Sequence, residues 1–208
     1  MKEMLTDRVL AFLELEQDLL YGKIPEEKRG EYIEGSLRIG REKAGRYAGK
    51  DIFELYKQQG IAIVYHKETK GTMGVMLRGQ AVMSGREKRV ELYQSSIESL
   101  AANSSLGGEE GLSCEQALRI HLAHEFFHYL EFVEGKTAAE ELPPVLLSRL
   151  FGRKRFGHIS RCSEIAAHAF AKAFLNLSCL PNAYDYFYLI RTGKMKEEEF
   201  DRLCRRFV

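Results

Sequence analysis

The chain has 208 residues, of which 45% are hydrophobic and 29% charged; this length and composition are typical of one sizeable globular domain. Its formal net charge of +1 argues against a strongly basic nucleic-acid-binding protein. The four cysteines form no Cys-x-x-Cys pair, which excludes the usual zinc-ribbon and thioredoxin-like motifs. No apolar run has the length needed to cross a bilayer, so a cytoplasmic protein with reduced thiols is expected.

The first sixty residues are predicted to be helical. Residues 3–20 place apolar side chains at helical spacing with acidic residues among them, a pattern of an amphipathic helix rather than of a signal peptide. Pro25 can begin a second helix that runs toward Tyr47, although several glycines interrupt it. A third helix is predicted between the N-cap candidate Asp51 and a stop at Gly60.

Three strands are predicted next. The β-branched run 61–65 should form a buried strand. Residues 74–83 and 88–93 are two further candidates, and the short segment between them suits a hairpin turn. Either Ser95 or Ser96 is then expected to cap a short helix.

The segment 113–135 is predicted to be one long helix. Ser113 and Gln116 have the spacing of a capping box, and Gly135 is suited to end a helix in the left-handed conformation. Most of the helix surface is apolar, which is typical of a buried helix, but one stripe is polar. The stripe consists of His121, His124, Glu125, His128 and Glu131. Because unpaired polar groups are costly to bury, this stripe needs binding partners.

The pattern His-Glu-x-x-His lies within that stripe, at His124, Glu125 and His128. Two histidines four residues apart share one face of a helix, so that one metal ion can bind both, and Glu125 beside them is a candidate general base. A catalytic zinc usually has three protein ligands, and Glu164 of the next long helix is the candidate third. The alternative for the histidine pair is ordinary hydrogen bonding in the core.

The segment between the two helices is predicted to be a short amphipathic helix, Pro143–Phe151, followed by a basic loop, Gly152–Gly157. A solvated connector is the simpler interpretation of this loop, and an anion or nucleic-acid site is the alternative. Ser163 is expected to cap the helix that begins with Glu164. An aromatic-rich segment and a terminal helix over 196–207 complete the chain.

Three other histidines are candidates for supporting roles. His121 lies one turn before the motif, where a second-shell or packing role is favoured over metal binding. His168, one turn after Glu164, can orient a ligand or stabilise the transition state, and an ordinary helix histidine is the alternative. His158 lies in a loop from which it can donate a hydrogen bond to the transition state.

Two segments resemble known motifs. Leu118–His128 resembles the signature helix of the ImmA/IrrE family of zinc metallopeptidases, and Glu164–Ala171 is similar to that family's second motif, Glu-x-x-Ala-Asn-x-Phe-Ala. The resemblance covers roughly residues 44–181. The chain departs from the family at Phe127, where a glycine is frequent, and at His168, which stands in the asparagine position.

The resemblance implies that His124, His128 and Glu164 bind Zn²⁺ and that Glu125 is catalytic. It further implies an endopeptidase that cleaves a cytosolic protein, such as a transcriptional repressor. The alternative function is that of a zinc-binding regulator which sequesters a partner without cutting it. No helix-turn-helix is recognisable, so direct nucleic-acid binding is not expected. Association with a membrane is not expected either, because no apolar run is long enough to cross one.

The expected fold class is α+β, a mainly helical domain with a small sheet of about three strands and a zinc site between two core helices. One domain is expected over 1–208, with a helical N-terminal extension (1–50), a core (51–181) and a C-terminal helical tail (182–208). Substrate of such a peptidase is expected to add as a strand along an exposed sheet edge, formed by 74–83 or 88–93.

Overall fold

The computed structural model describes residues 5–67, 71–72, 75–85, 87–106, 111–150 and 152–207. Within these residues the fold is α+β and mainly helical, as predicted, with one three-stranded sheet. The α-helices are α1 (Asp7–Leu15), α2 (Arg29–Gly45), α3 (Ile52–Gln59), α4 (Gln94–Ala102), α5 (Cys114–Glu134), α6 (Ala138–Glu141), α7 (Arg161–Leu175), α8 (Asn182–Arg191) and α9 (Glu197–Arg205). The strands are β1 (Ala62–His66), β2 (Gly71–Thr72), β3 (Val75–Met76), β4 (Gly79–Met83), β5 (Lys88–Tyr93), β6 (Val145–Leu150) and β7 (Arg153–Gly157).

The centre of the molecule is α7, which packs against α2 on one side and α5 on the other. Four alanines of α7 are buried and let both neighbours approach closely, namely Ala166, Ala167, Ala169 and Ala171. The approach of α2 is so close that a Cβ atom at Gly40 would lie 2.2 Å from the carbonyl oxygen of Ala166. The glycine that weakens α2 as a helix is therefore required by packing. Phe126, Phe127 and Phe170 fill the space around these contacts and are fully buried.

The helix ends of α3 and α5 agree with the capping predictions. Asp51 accepts hydrogen bonds from the first-turn amides of α3, and Gly60 ends that helix at φ 64°. Ser113 and Gln116 form a complete capping box at the start of α5. Gly135 ends it at φ 64°, a left-handed conformation that glycine adopts at little cost.

The sheet has the strand order β1-β5-β4, with β1 parallel and β4 antiparallel to β5. The prediction that the 61–65 strand is buried is wrong. It is an edge strand, shifted by one residue to 62–66, and Tyr65 is 47% exposed. The central strand is β5, whose Val90 and Leu92 are fully buried. Of the two candidate sheet edges, 88–93 is therefore excluded, because both of its sides are paired, and β4 is an edge.

The prediction of a helix over 143–151 and a basic loop over 152–157 is wrong, because β6 (Val145–Leu150) and β7 (Arg153–Gly157) form an antiparallel pair. Residue 151 lies outside the described residues. Proline favours an extended conformation in the residue before it, and the pair Pro143–Pro144 directs the chain into a strand. The Tyr32 hydroxyl donates to the carbonyl oxygen of Pro143 at 2.8 Å and fixes the start of this hairpin. Gly152, at φ 76°, provides the turn.

Two capping predictions are also wrong. Helix α4 begins at Gln94, so Ser95 and Ser96 lie inside it. Helix α7 begins at Arg161, which places Ser163 in its first turn rather than at its cap. The carboxylate of Asp18, far away in the sequence, accepts from the Ser160 hydroxyl and the Arg161 amide at 2.9 Å each. The start of α7 is therefore capped by a carboxylate that is distant in sequence, not by a side chain of the adjacent residues.

The remaining segments agree more closely with expectation. The first helix is shorter than predicted and ends at Leu15, and the terminal helix α9 occupies most of 196–207. The aromatic-rich segment forms α8. Buried residues from α1 through α9 belong to one continuous hydrophobic cluster. None of the helices in the described residues combines the length and apolarity needed to span a membrane.

Candidate metal centre

The packing of α5 against α7 brings together the three side chains expected to bind metal. Nε2 of His124 lies 3.2 Å from Nε2 of His128 and 3.2 Å from a carboxylate oxygen of Glu164. Nε2 of His128 lies 3.7 Å from the other oxygen of that carboxylate. Two histidine nitrogens of one helix and the carboxylate of the next therefore lie close enough together to hold one metal ion.

These separations fit a zinc ion. Tetrahedral zinc with bonds of about 2.0–2.2 Å holds its ligand atoms roughly 3.3–3.6 Å apart, close to the three distances above. Two imidazoles and a carboxylate form a donor set that zinc accepts, and three protein ligands leave a fourth position open. Among the described residues, His124, His128 and Glu164 are the one group of three or more potential ligands so arranged.

Glu131 orients His128 from behind. One of its oxygens lies 2.9 Å from Nδ1 of His128, and the other accepts from the amide of Ala138 at 2.6 Å. A carboxylate on the distal nitrogen of a ligating histidine fixes the ring and directs the other nitrogen at the metal. Glu131 belongs to the polar stripe seen in the sequence, but no role was predicted for it. Its spacing of three residues from His128 could have indicated that the two side chains are in contact.

Without metal, the side chains of this centre form partly exposed ion pairs, and that of Glu164 is 37% exposed. Burial alone would lower the pKa of His128, but hydrogen bonds to Glu131 and Glu164 raise it to about 10. Burial likewise favours a neutral Glu164, but the hydrogen bonds from His124 and His128 outweigh it and hold the pKa of Glu164 well below the usual range. A site that stabilises a deprotonated carboxylate between two imidazoles is suited to a cation.

Glu125 lies next to the ligand triad and faces a different wall of the same cleft. The residue is 8% exposed. A Cβ atom on Gly79 of β4 would be 3.5 Å from its Oε1, so the backbone at the start of β4 runs past this carboxylate. Within the residues that the structure describes, no protein group donates a hydrogen bond to the Glu125 carboxylate, which leaves its oxygens available to a ligand.

His168 and His121 lie beside the triad. The rings of His168 and His124 are 4.8 Å apart between centroids, and Nδ1 of His168 is buried without a hydrogen-bond partner. Burial holds the pKa of His168 well below its usual value. His121 donates from Nδ1 to the carbonyl oxygen of Ala117 at 2.7 Å, and burial lowers its pKa to about 3. Both side chains are therefore neutral.

His158 lies apart from this group. Its Nδ1 is 3.0 Å from the carbonyl oxygen of Ala139 at the short helix α6, and it is not among the residues that line the cleft. The transition-state role considered for His158 has no geometric support, whereas His121 and His168 both border the cleft.

A cleft of about 500 Å³ is lined by His124, Glu125 and Glu164. Residues of α5, of α7 and of the segment leading into β4 contribute to its lining. Helix α8 contributes as well, although the sequence predicted this part of the chain only as an aromatic-rich segment. An ion pair between Arg78, just before β4, and Asp185 of α8 joins two parts of the lining. No motif in either segment indicates this pairing.

The chain was compared with protein-family models, curated proteins and solved structures. None of the three comparisons found a match at a significant level. The features that indicate a function are the geometry of the candidate metal centre and the motifs of α5 and α7.

Proposed function

We propose that this protein is a zinc-dependent endopeptidase. The observation that carries the proposal is the convergence of His124, His128 and Glu164 on one point, with Glu125 beside them at the edge of an open cleft. The two histidines and Glu164 are proposed as metal ligands and Glu125 as the general base.

Zinc, when bound, supplies a Lewis acid that polarises a peptide carbonyl and makes water a nucleophile near neutral pH. The two histidines and Glu164 hold the ion, and Glu131 keeps His128 in the ligating orientation. Glu125 accepts the proton of the attacking water and then delivers it to the leaving amine. His168 borders the same cleft beside His124, and its Nδ1 has no hydrogen-bond partner, so we assign it the supporting role of orienting a ligand or stabilising the transition state.

Strand β4 offers the position for the substrate. Within the described part of the chain it pairs with β5 alone, and it packs against α5. A peptide added as a strand to its other side would pass Gly79, where an added Cβ would lie 3.5 Å from Oε1 of Glu125. Main-chain pairing of this kind accepts many sequences, which suits an enzyme that cuts within a polypeptide.

The motifs of α5 and α7 further support a place in or near the ImmA/IrrE family. On that basis we propose that the substrate is a cytosolic protein and that a transcriptional repressor is the first substrate to test. The alternative proposal is a zinc-binding regulator that sequesters its partner intact. Both proposals need the metal centre, but only the peptidase needs Glu125 as a base.

A single substitution separates the two. Glu125→Gln preserves the size of the side chain and removes its basicity, so it should retain zinc, measured by elemental analysis of purified protein, while abolishing cleavage of the substrate. Glu115→Gln, at an exposed position of the same helix, is the matched control and should retain both.

A purified protein that neither contains nor binds zinc would contradict both proposals. Retention of the cellular activity by Glu125→Gln, with zinc still bound, would contradict the peptidase and favour the sequestering regulator.

A further inference from the structure

Arg78 lies at the point where a bound peptide would enter the cleft. Its carbonyl oxygen accepts from the amide of Tyr93 at 3.0 Å, which extends the β4–β5 pairing by one residue and fixes the backbone. The next residue is Gly79, where an added Cβ would lie 3.5 Å from Oε1 of Glu125. Arg78 lines the same cleft as His124, Glu125 and Glu164. A substrate strand on β4 therefore passes Arg78 immediately before or after it passes the catalytic carboxylate.

The guanidinium of Arg78 is only partly satisfied. Its side chain is 16% exposed and forms an ion pair with Asp185 through Nη1, while its Nε is buried with no hydrogen-bond partner. A guanidinium carries five N–H donors in a planar fork that matches a carboxylate in two-point contact. A buried donor without an acceptor is costly. The unused donor therefore indicates that a second acceptor belongs here.

The charges around Arg78 point to an anion. The guanidinium carbon lies 5.5 Å from the centroid of the Tyr188 ring, and the ammonium of Lys194 lies 5.4 Å from the same ring. Among the described residues, no carboxylate forms an ion pair with Lys194. Two cations therefore lie around the Tyr188 ring, and both would attract an anionic group of a ligand bound there.

The second arginine of the cleft provides a contrast. Arg161 forms an ion pair at 2.7 Å with Glu14, a carboxylate whose side chain is only 9% exposed. The arginine of that pair is 37% exposed, so the buried partner is the carboxylate. Asp185 is 42% exposed, so water can replace the protein around it and another carboxylate can take its place on Arg78.

We propose that Arg78 recognises a carboxylate of the substrate, and that Asp185 occupies this position until the substrate displaces it. The preferred substrate is thus a peptide with an acidic group close to the bond that is cut. The group can be an Asp or Glu side chain or a C-terminal carboxylate, since the chemistry is the same. This inference rests on the proposed function in one respect, namely that the occupant of the cleft is a peptide.

Equilibrium binding of fluorescent peptides tests the inference without requiring catalysis. The zinc-loaded protein carrying Glu125→Gln would be titrated with three peptides of equal length. One is neutral with an amidated C-terminus, the second contains an internal Asp and is amidated, and the third is neutral with a free C-terminal carboxylate. We expect the second or the third to bind at least about tenfold more tightly than the first, and the stronger of these two identifies the source of the carboxylate.

Two further substitutions in that background assign the effect. Arg78→Gln should lower the affinity for the favoured acidic peptide by at least about tenfold and leave the affinity for the neutral peptide unchanged. Asp185→Asn should raise the affinity for the acidic peptide several-fold, because it removes the carboxylate that competes for Arg78. Arg78→Lys, which retains charge but not the fork, should give an intermediate affinity and replaces Arg78→Gln if the latter does not fold.

Equal affinity for acidic and neutral peptides in the parent protein, or weaker binding of the acidic peptide by Asp185→Asn, would overturn the inference. Its failure is distinguishable from failure of the peptidase. Cleavage of peptides by the unsubstituted protein with no preference for acidic sequences would contradict only the role of Arg78. An Arg78-dependent preference in binding, without any cleavage, would contradict only the peptidase.

Discussion

The α5–α7 helix pair and the β6–β7 hairpin are neighbours in sequence but differ in how their structures are determined. The helix pair is largely buried, and the ends of α5, the apolar faces of both helices and the polar stripe all indicate the same structure. The hairpin is exposed at Ser148, at Arg149 and over residues 152–156. Consistent local and long-range signals made the first region predictable, whereas in the second the pairing of two short segments decided the outcome.

Substitutions in the helix pair should affect the metal site and the stability of the protein more strongly than substitutions in the hairpin. In the helix pair, metal ligands and backbone contacts are set by tight packing, so that small changes act directly on the site. In the hairpin, the side chains of Arg149, Lys154 and Arg155 are exposed to solvent. The following predictions run from the largest expected effect to the smallest.

The first prediction removes a ligand from the helix pair. Glu164→Gln replaces the anionic ligand with a weaker neutral one and should lower zinc affinity by more than about 100-fold, beyond the effect typical of supporting residues. Competition with a chelator of known affinity measures the change. The exposed Glu115→Gln variant should bind zinc as the parent does, and an equal affinity of Glu164→Gln would remove Glu164 from the site.

The second prediction tests the packing behind the site. Gly40→Ala places a methyl group against the backbone of α7 and should lower the free energy of unfolding by about 2–3 kcal/mol. Gly45→Ala, in the same helix but with no atom close to the added Cβ, should instead be stabilising by about 0.5–1 kcal/mol. Chemical denaturation of both variants checks the difference. If both variants are stabilised, α2 and α7 are not in close contact.

The third prediction concerns the residue that orients His128. Glu131→Gln keeps a hydrogen-bond acceptor but removes the charge, and should reduce zinc affinity by about 10–100-fold while the three ligands remain. The same chelator competition measures it. An unchanged affinity would mean that the contact of Glu131 with His128 has no influence on the metal.

The fourth prediction is the pH dependence of zinc binding. His128 must be neutral to bind zinc, and its pKa in the metal-free protein is raised to about 10, so binding releases a proton below that pH. Zinc affinity should therefore rise by about tenfold per pH unit from pH 6 toward pH 9. In the metal-free protein the same raised pKa stabilises the fold below pH 6.5, and this contribution is lost as the pH rises to about 10.

Calorimetric titration in buffers of different ionisation enthalpy counts the released protons. Zinc affinity that does not change with pH would contradict the ion pair between His128 and Glu164.

The smallest effect is expected in the hairpin. Lys154→Ala removes an exposed side chain opposite Arg149 and should change the free energy of unfolding by less than about 0.5 kcal/mol, with zinc affinity unchanged. Thermal unfolding and zinc titration measure both. A large loss of zinc affinity would show that the hairpin is coupled to the metal site and would remove the contrast between the two regions.

Much of the helical framework was predictable because its signals are local. A capping serine, a left-handed glycine and apolar side chains every three to four residues act within one element. The two histidine ligands were predictable for the same reason, since His124 and His128 share one helix face. Glu164, in the first turn of the next long helix, meets them only because α5 packs against α7. The helix over 143–151 failed because its apolar residues also suit a strand, and propensity alone did not decide between them.

By itself, the sequence determined which side chains are available for chemistry and which helix faces carry them. Only the tertiary structure decided that β5 is central and β4 an edge, that Asp18 caps α7, and that α8 contributes to the lining of the cleft. The ion pair of Arg78 with Asp185 joins residues 107 positions apart. Contacts over such separations arise when apolar faces pack together, and the packing of the whole chain selects which distant residues meet.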